Sequence, residues 1–333
     1  MRHTRHELGV PALVRGPTDI HCIPKAQHLR SRPDSRAGHL KGLADGARMA
    51  TDRISLPMPV LEVCKAVKFT VIGERINMTR KSIREKVLAR DADFIAAQAK
   101  KQEAAGATHI DVNAGGDPAR EAEDMAWLTQ AVAAATELPL VFDSTNPKAL
   151  EAGLGLCNRP GSIINSITGE KDRLKTILPL VKKHGTGVVA LTMDDKGMPE
   201  DLDGRLAITR ALAKAVKAKG IGLDRVHFDH LVRPASTNPG QARCILEAIR
   251  ATKAEFPEAH VALGLSNVSY GLPNRNNLNR AFLAMLLAAG ADGAIIDPCE
   301  EGMMNTLLSA RAVLGLDEFC MGYIAAYREG KLG

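Results

Sequence analysis

Carboxylate and carboxamide side chains stand at the end of one short apolar run after another in this chain. Glu74 and Asn77 follow Phe69–Gly73, and Asp111 and Asn113 close Thr108–Val112. Asp143 and Asn146 follow Leu138–Phe142, and Asn165 closes Ser162–Asn165. Asp194 and Asp195 come after Val188–Thr192, Asp229 after Arg225–Phe228, Asn267 after Val261–Leu265 and Asp297 after Gly293–Ile296. A metal site would want His or Cys among these residues, and a phosphate site Gly-rich turns or Arg. The set holds neither, so its chemistry is acceptor chemistry and no metal is expected.

Such acceptors suit a neutral heterocycle with a row of N–H donors, because one carboxylate can take two parallel donors at once. The amino edge of a pterin is such a row; a purine or a nucleoside would satisfy the same groups. Asp, Asn and Ser also cap helices well. Capping alone does not account for eight run ends in succession, since Asn165 and Asp229 directly terminate apolar segments.

The elements that position these residues are legible in outline. The apolar runs are β-branched and continuous, the pattern of parallel strands buried on both faces. Between them lie helical segments such as Asp91–Ala105, Glu121–Ala135, Asp203–Lys219 and Asn277–Ala289, several ending in glycine (Gly106, Gly185, Gly220, Gly290). Eight strand–helix repeats predict a closed (β/α)8 TIM barrel, whose strand ends converge on one functional rim. The competing architecture is an open doubly wound sheet. Its usual phosphate loop is missing, as Gly153-Leu154-Gly155 lies in a helix-like stretch.

Residues 1–60 read differently from the barrel at 61–333. The first 50 carry +5 of the net charge of +6 with no sustained periodicity. We expect a disordered leader there, or translation that begins at Met49. The body is nearly neutral, which argues against nucleic acid as a partner. Six scattered cysteines without CxxC suit reduced thiols and a cytoplasmic protein, and no apolar run predicts a membrane span.

Several segments resemble the methyltetrahydrofolate:corrinoid methyltransferases and the related folate domain of cobalamin-dependent methionine synthase. They are Val71-Ile72-Gly73-Glu74-Arg75-Ile76-Asn77, Asp111-Val112-Asn113-Ala114-Gly115, Asp143-Ser144-Thr145-Asn146 and Ile164-Asn165-Ser166, then the long stretch from Gly264 to Pro273 and Asn279-Arg280-Ala281-Phe282-Leu283. Their order holds from about residue 68 to 325. The resemblance implies a pterin-binding type of barrel, homodimeric, that takes methyltetrahydrofolate or tetrahydrofolate as substrate. Its partner is a corrinoid (cobalamin) protein, since no Asp-x-His-x-x-Gly stretch marks a corrinoid domain in this chain.

By the same resemblance, Asp143, Asn165 and Asp229 hydrogen-bond the pterin, Asn267 lies near the methyl-bearing N5, and Arg275 lies near the substrate. Tyr270 replaces a polar amide found in some members. Glu74, Asp111 and Asn113 join the candidate binding set, and Asn267 and Asp229 are the candidate catalytic residues. Two other readings are a dihydropteroate synthase and a non-catalytic folate-binding subunit. Against the synthase, the eighth strand ends Asp297-Pro298-Cys299-Glu300-Glu301, acidic where an anionic leaving group would need a cation. The isolated histidines His109, His184, His227 and His260 read as structural. Cys299 reads as a small buried thiol, and Met125 and Trp127 as packing.

Overall fold

The β-branched runs form strands and the amphipathic stretches between them form helices, in alternation, with two helices between the first and second strands and two after the eighth. The computed structural model describes residues 69–332. The strands are β1 (Thr70–Asn77), β2 (His109–Asn113), β3 (Leu140–Asp143), β4 (Ile163–Ile167), β5 (Gly187–Leu191), β6 (Val226–Asp229), β7 (His260–Gly264) and β8 (Gly293–Ile296). All are parallel and close in chain order, with β1 paired to both β2 and β8. The sheet therefore has no edge, and the architecture is the (β/α)8 barrel and not an open doubly wound sheet. The expected leader lies outside the described residues.

The helices are α1 (Lys81–Leu88), α2 (Ala92–Ala104), α3 (Glu121–Ala133), α4 (Pro147–Leu156), α5 (Lys171–His184), α6 (Leu202–Ala218), α7 (Gln241–Glu255), α8 (Arg275–Ala289), α9 (Met303–Val313) and α10 (Met321–Arg328). Asp91 caps α2 by accepting from Phe94 N, Asn146 caps α4 and Asp201 caps α6. The four expected glycine stops all have positive φ, between +68° and +104°.

Two apolar layers hold the barrel. The larger lies between strands and helices and includes Ile110, Val112, Phe142, Ile164, Phe228 and Leu263. The smaller joins Ile72, Val141, Ile163 and Val189, with Leu191 and Ile295 against it. Successive strand side chains alternate faces, so this second set fills the barrel interior. The alternation decides the site. In β3 the inward Val141 is followed two residues later by Asp143, and in β4 Ile163 is followed by Asn165. In β1, Ile72 is followed by Glu74.

β1 runs on to Asn77, beyond its expected end at Gly73, by way of an irregularity in its pairing with β2 between Gly73 and Ile76. Gln102 of α2 secures it: its Oε1 accepts from Arg75 N at 3.0 Å. A Cβ at position 73 would sit 2.5 Å from that same oxygen, which is why glycine stands there.

Two histidines near the strand starts pair with each other, and one of them with Asp292. His227 stacks on His260 with centroids 4.8 Å apart, and His260 Nδ1 lies 3.0 Å from Asp292. Burial pushes His227 down to about 3, so the ring is neutral. Met125 is buried, and Trp127 packs on the core beneath Arg90. Cys299 corrects one expectation: it is half-buried, not buried, because it lies on the loop after β8, outside the packed layers.

Candidate active site at the strand ends

Register places three rim residues side by side. Asn113 pairs with Asp143 across β2 and β3, and Asp143 pairs with Asn165 across β3 and β4. Asn113 Nδ2 donates to Asp143 Oδ2 at 2.8 Å, while its own Oδ1 accepts from Gly115 N. Below them Asp111 is buried, with its Asn165 neighbour as side-chain partner. Asp111 Oδ1 has no hydrogen-bond partner.

These groups surround one cavity of about 300 Å³ at the barrel mouth, lined by Glu74, Asn77, Thr79, Arg80, Asp111, Asp143, Asn165, Ser266 and Ile295. Ile295 belongs to the apolar floor, and the remaining lining is polar. The structure thus brings Glu74, Asp111, Asp143 and Asn165 together, with Asn113 behind them.

Asp229 is at the same end of β6 but is not among the residues that line this cavity. Its Oδ1 accepts from Leu231 N at 2.7 Å and its Oδ2 from Gly264 N at 3.3 Å. Asn267 is exposed on a one-turn 3-10 helix, Leu265–Ser269, beside the cavity-lining Ser266. Arg275 braces this loop: it donates to Ser269 Oγ at 3.0 Å and to Ser266 O at 2.7 Å.

Electrostatics make the cavity a store of protons. Burial raises Glu74 to about 7, with Arg80 opposing and Asp297 adding to the rise. Asp111 is raised well above the usual carboxylate range by burial, then by the Asp143 and Glu74 charges. Burial also raises Asp143, against hydrogen bonding from Asn113 and the nearby Arg173. Asp229 is lifted by burial to about 6, although its two backbone N–H donors and Arg205 pull the other way. Glu74 and Asp229, at about 7 and about 6, can exchange a proton near neutral pH, the range that general acid–base work requires.

Several contributors had no plain signal in the sequence. Arg173 reads as a surface residue of an amphipathic helix, yet its guanidinium donates to the carbonyls of Ser144, Thr145 and Ser166 and ties the β3 and β4 ends together. Arg80 and Arg75 meet Asp297, at 3.8 and 2.8 Å, so that acid closes the rim as an ion pair. Among the described residues, no group of three or more His, Cys, Asp or Glu could hold a metal ion.

Comparison with known proteins follows the same outline. A family profile described as pterin binding enzyme matches residues 73–297. The chain is 34% identical over 265 residues to the methylcorrinoid:tetrahydrofolate methyltransferase of Eubacterium limosum, covering 79% of this chain and 97% of that protein. It is 31% identical over 264 residues to the methionine synthase of Mycobacterium tuberculosis (strain ATCC 25618 / H37Rv), covering 74% of this chain but only 22% of that larger protein. Among solved structures, dihydropteroate synthase from Xanthomonas albilineans in complex with 7,8-dihydropteroate superposes with a TM-score of 0.59 at 17% identity, over 74% of this chain and 94% of that one. A Yersinia pestis dihydropteroate synthase with a pterine-sulfa conjugate gives 0.57, also at 17% and with the same coverage. At that identity the likeness is one of fold.

Proposed function

The chain belongs to the pterin-binding enzyme family, and we propose that it moves a methyl group between N5 of tetrahydrofolate and the cobalt of a corrinoid carried on a separate protein. The observation that carries the reading is the strand-end cavity with its unpartnered acceptor. Asp111 Oδ1 is buried without a donor, and Asp143 and Asn165 stand beside it. Burying an acceptor unpaired is costly unless a ligand supplies the missing donor. The N–H-rich edge of a reduced pterin is such a ligand, and the relative that this chain nearly spans is a methylcorrinoid:tetrahydrofolate methyltransferase.

That relative's name gives the direction we adopt, from methylated corrinoid to folate. The N5 lone pair forms the new N–C bond, and the Co–C bond breaks with its electron pair left on cobalt. The N5 proton passes to the carboxyl cluster, where Glu74 can receive it near neutral pH. Asp143, Asn165 and Asp229 hold the ring, with Asn113 orienting Asp143. Asn267 stands at the loop tip as the positioned polar group for N5, and Arg275 fixes that loop. The corrinoid is a substrate that approaches from the open rim.

We read the molecule as a cytoplasmic homodimer. The exposed apolar side chains Leu278, Met285, Phe319 and Tyr327 on and around α8 and α10 support the dimer. No described helix is long and apolar enough to cross a membrane. Sedimentation analysis checks the stoichiometry. The test of function is turnover: purified chain, tetrahydrofolate and a methylated corrinoid protein should yield methyltetrahydrofolate at a rate proportional to enzyme. Tight folate binding with no enzyme-dependent transfer would leave a binding subunit and defeat the catalytic reading.

A further inference from the structure

Arg205, in the first turn of α6, is fully buried. Its Nη1 donates to the carbonyl of His230 and its Nη2 to Gln241 Oε1 at 2.6 Å. Its Nε has no partner, and among the described residues no carboxylate pairs with it. A buried guanidinium without a paired anion is an expensive arrangement. Its place in the fold suggests what the arrangement does.

The carbonyl that Arg205 holds lies in the tight turn Asp229-His230-Leu231. Leu231 adopts φ +58°, a left-handed conformation that a branched side chain rarely takes, and its N–H donates back to Asp229 Oδ1. Arg205 thus grips the peptide between the carboxylate and the donor that orients it. The groups around the turn leave Arg205 as the facing charge. His230 is buried and neutral, with Nε2 against Thr252 Oγ1 of α7. Gln241 is uncharged, β7 offers the Gly264 N–H, and β5 pairs Leu191 with Asp229. Arg233, just past the turn, is occupied by Glu200.

We propose that Arg205 is a positioning residue for the reaction: it locks the Asp229–Leu231 turn and supplies the buried positive charge against which Asp229 stays anionic. The inference rests on the folate reading, in which Asp229 accepts hydrogen bonds from the pterin. It adds to that reading a residue that touches neither substrate nor rim.

The test is the pH dependence of tetrahydrofolate binding, followed by calorimetry from pH 5.5 to 8.5. In the wild type, affinity falls as Asp229 takes up a proton near its midpoint of about 6. Arg205→Met moves that midpoint up; a rise of roughly one pH unit lowers affinity about threefold at pH 6.5 and about eightfold at pH 5.5, with recovery toward pH 8.5. Arg205→Lys keeps the charge and leaves the midpoint near that of the wild type.

Loss of the clamp can prevent folding, so a second variant carries the same test. Gln241→Glu places a carboxylate against the guanidinium and neutralises its field, while giving up the Gln241 Nε2 bond to the Glu200 carbonyl; the midpoint should rise as it does in Arg205→Met. A loss of affinity equal at every pH, in whichever of these variants folds, would overturn the proposal and leave Arg205 a packing residue. A wild-type protein that does not bind tetrahydrofolate would instead overturn the folate reading, so the two failures are separable.

Discussion

Glu74→Gln should make this protein more stable, and only above acid pH. The substitution keeps side-chain volume and removes a charge that the cavity disfavours. Burial lifts the Glu74 carboxyl from 4.5 to about 7. The folded state therefore holds this proton between those limits while the unfolded chain has released it, and wild-type stability falls as pH rises through that window. Below about pH 4.5 the variant gains nothing from this effect. Above 7 the gain is complete, about 3 kcal/mol at about 1.36 kcal/mol per pH unit. For a barrel of this size that corresponds to roughly 5 °C in midpoint. Thermal unfolding of both proteins by circular dichroism from pH 4 to pH 8 measures it directly. The two curves of midpoint against pH should converge at the acid end and separate toward pH 8. Parallel curves would refute the claim that the cavity holds Glu74 against its ionisation.

Three further outcomes follow from the site. Asp229→Ala should weaken tetrahydrofolate binding by about 1.5 to 3 kcal/mol, the cost of removing one side of a charged hydrogen-bonded pair; calorimetry at pH 8 reads it. Asn267→Ala should lower the rate of transfer while the folate dissociation constant stays near its wild-type value, as expected for a group that acts on N5 from an exposed loop; near-normal turnover would remove Asn267 from that role. Arg173→Ala releases three carbonyls at the β3 and β4 ends and should cost about 1 to 3 kcal/mol of stability with a matching loss of folate affinity. An unchanged midpoint in that variant would show that the two strand ends need no tie.

The barrel was legible because its strands are buried on both faces and its helices carry clear starts and glycine stops. The same property hid the site's details. A parallel strand apolar on both faces has no visible alternation, so the inward set Ile72, Val141, Ile163 and Val189 could not be told from the outward one. Without that phase, strand-end polar residues could be located but not aimed. Asn146 proves to be a helix cap and Asp297 an ion-pair partner of Arg75, while Asp143 and Asn165 face the cavity. Arg173 and Arg205 were missed for a related reason: arginine on an amphipathic helix reads as surface, and only the fold shows these two folded inward onto backbone carbonyls. The extra reach of β1 to Asn77 depends on Gln102 of a distant helix, a tertiary contact with no local sign.

In the proposed reaction the carboxylate-lined mouth of the barrel receives the reduced pterin. A crystal structure of the chain with bound tetrahydrofolate tests it most directly. The amino edge of the ring should lie within hydrogen-bond distance of Asp143 and Asn165, with N5 turned toward the Asn267 loop. A ring bound elsewhere, for instance in the groove between α8 and α9 lined by Arg280, Asn305 and Ser309, would contradict it.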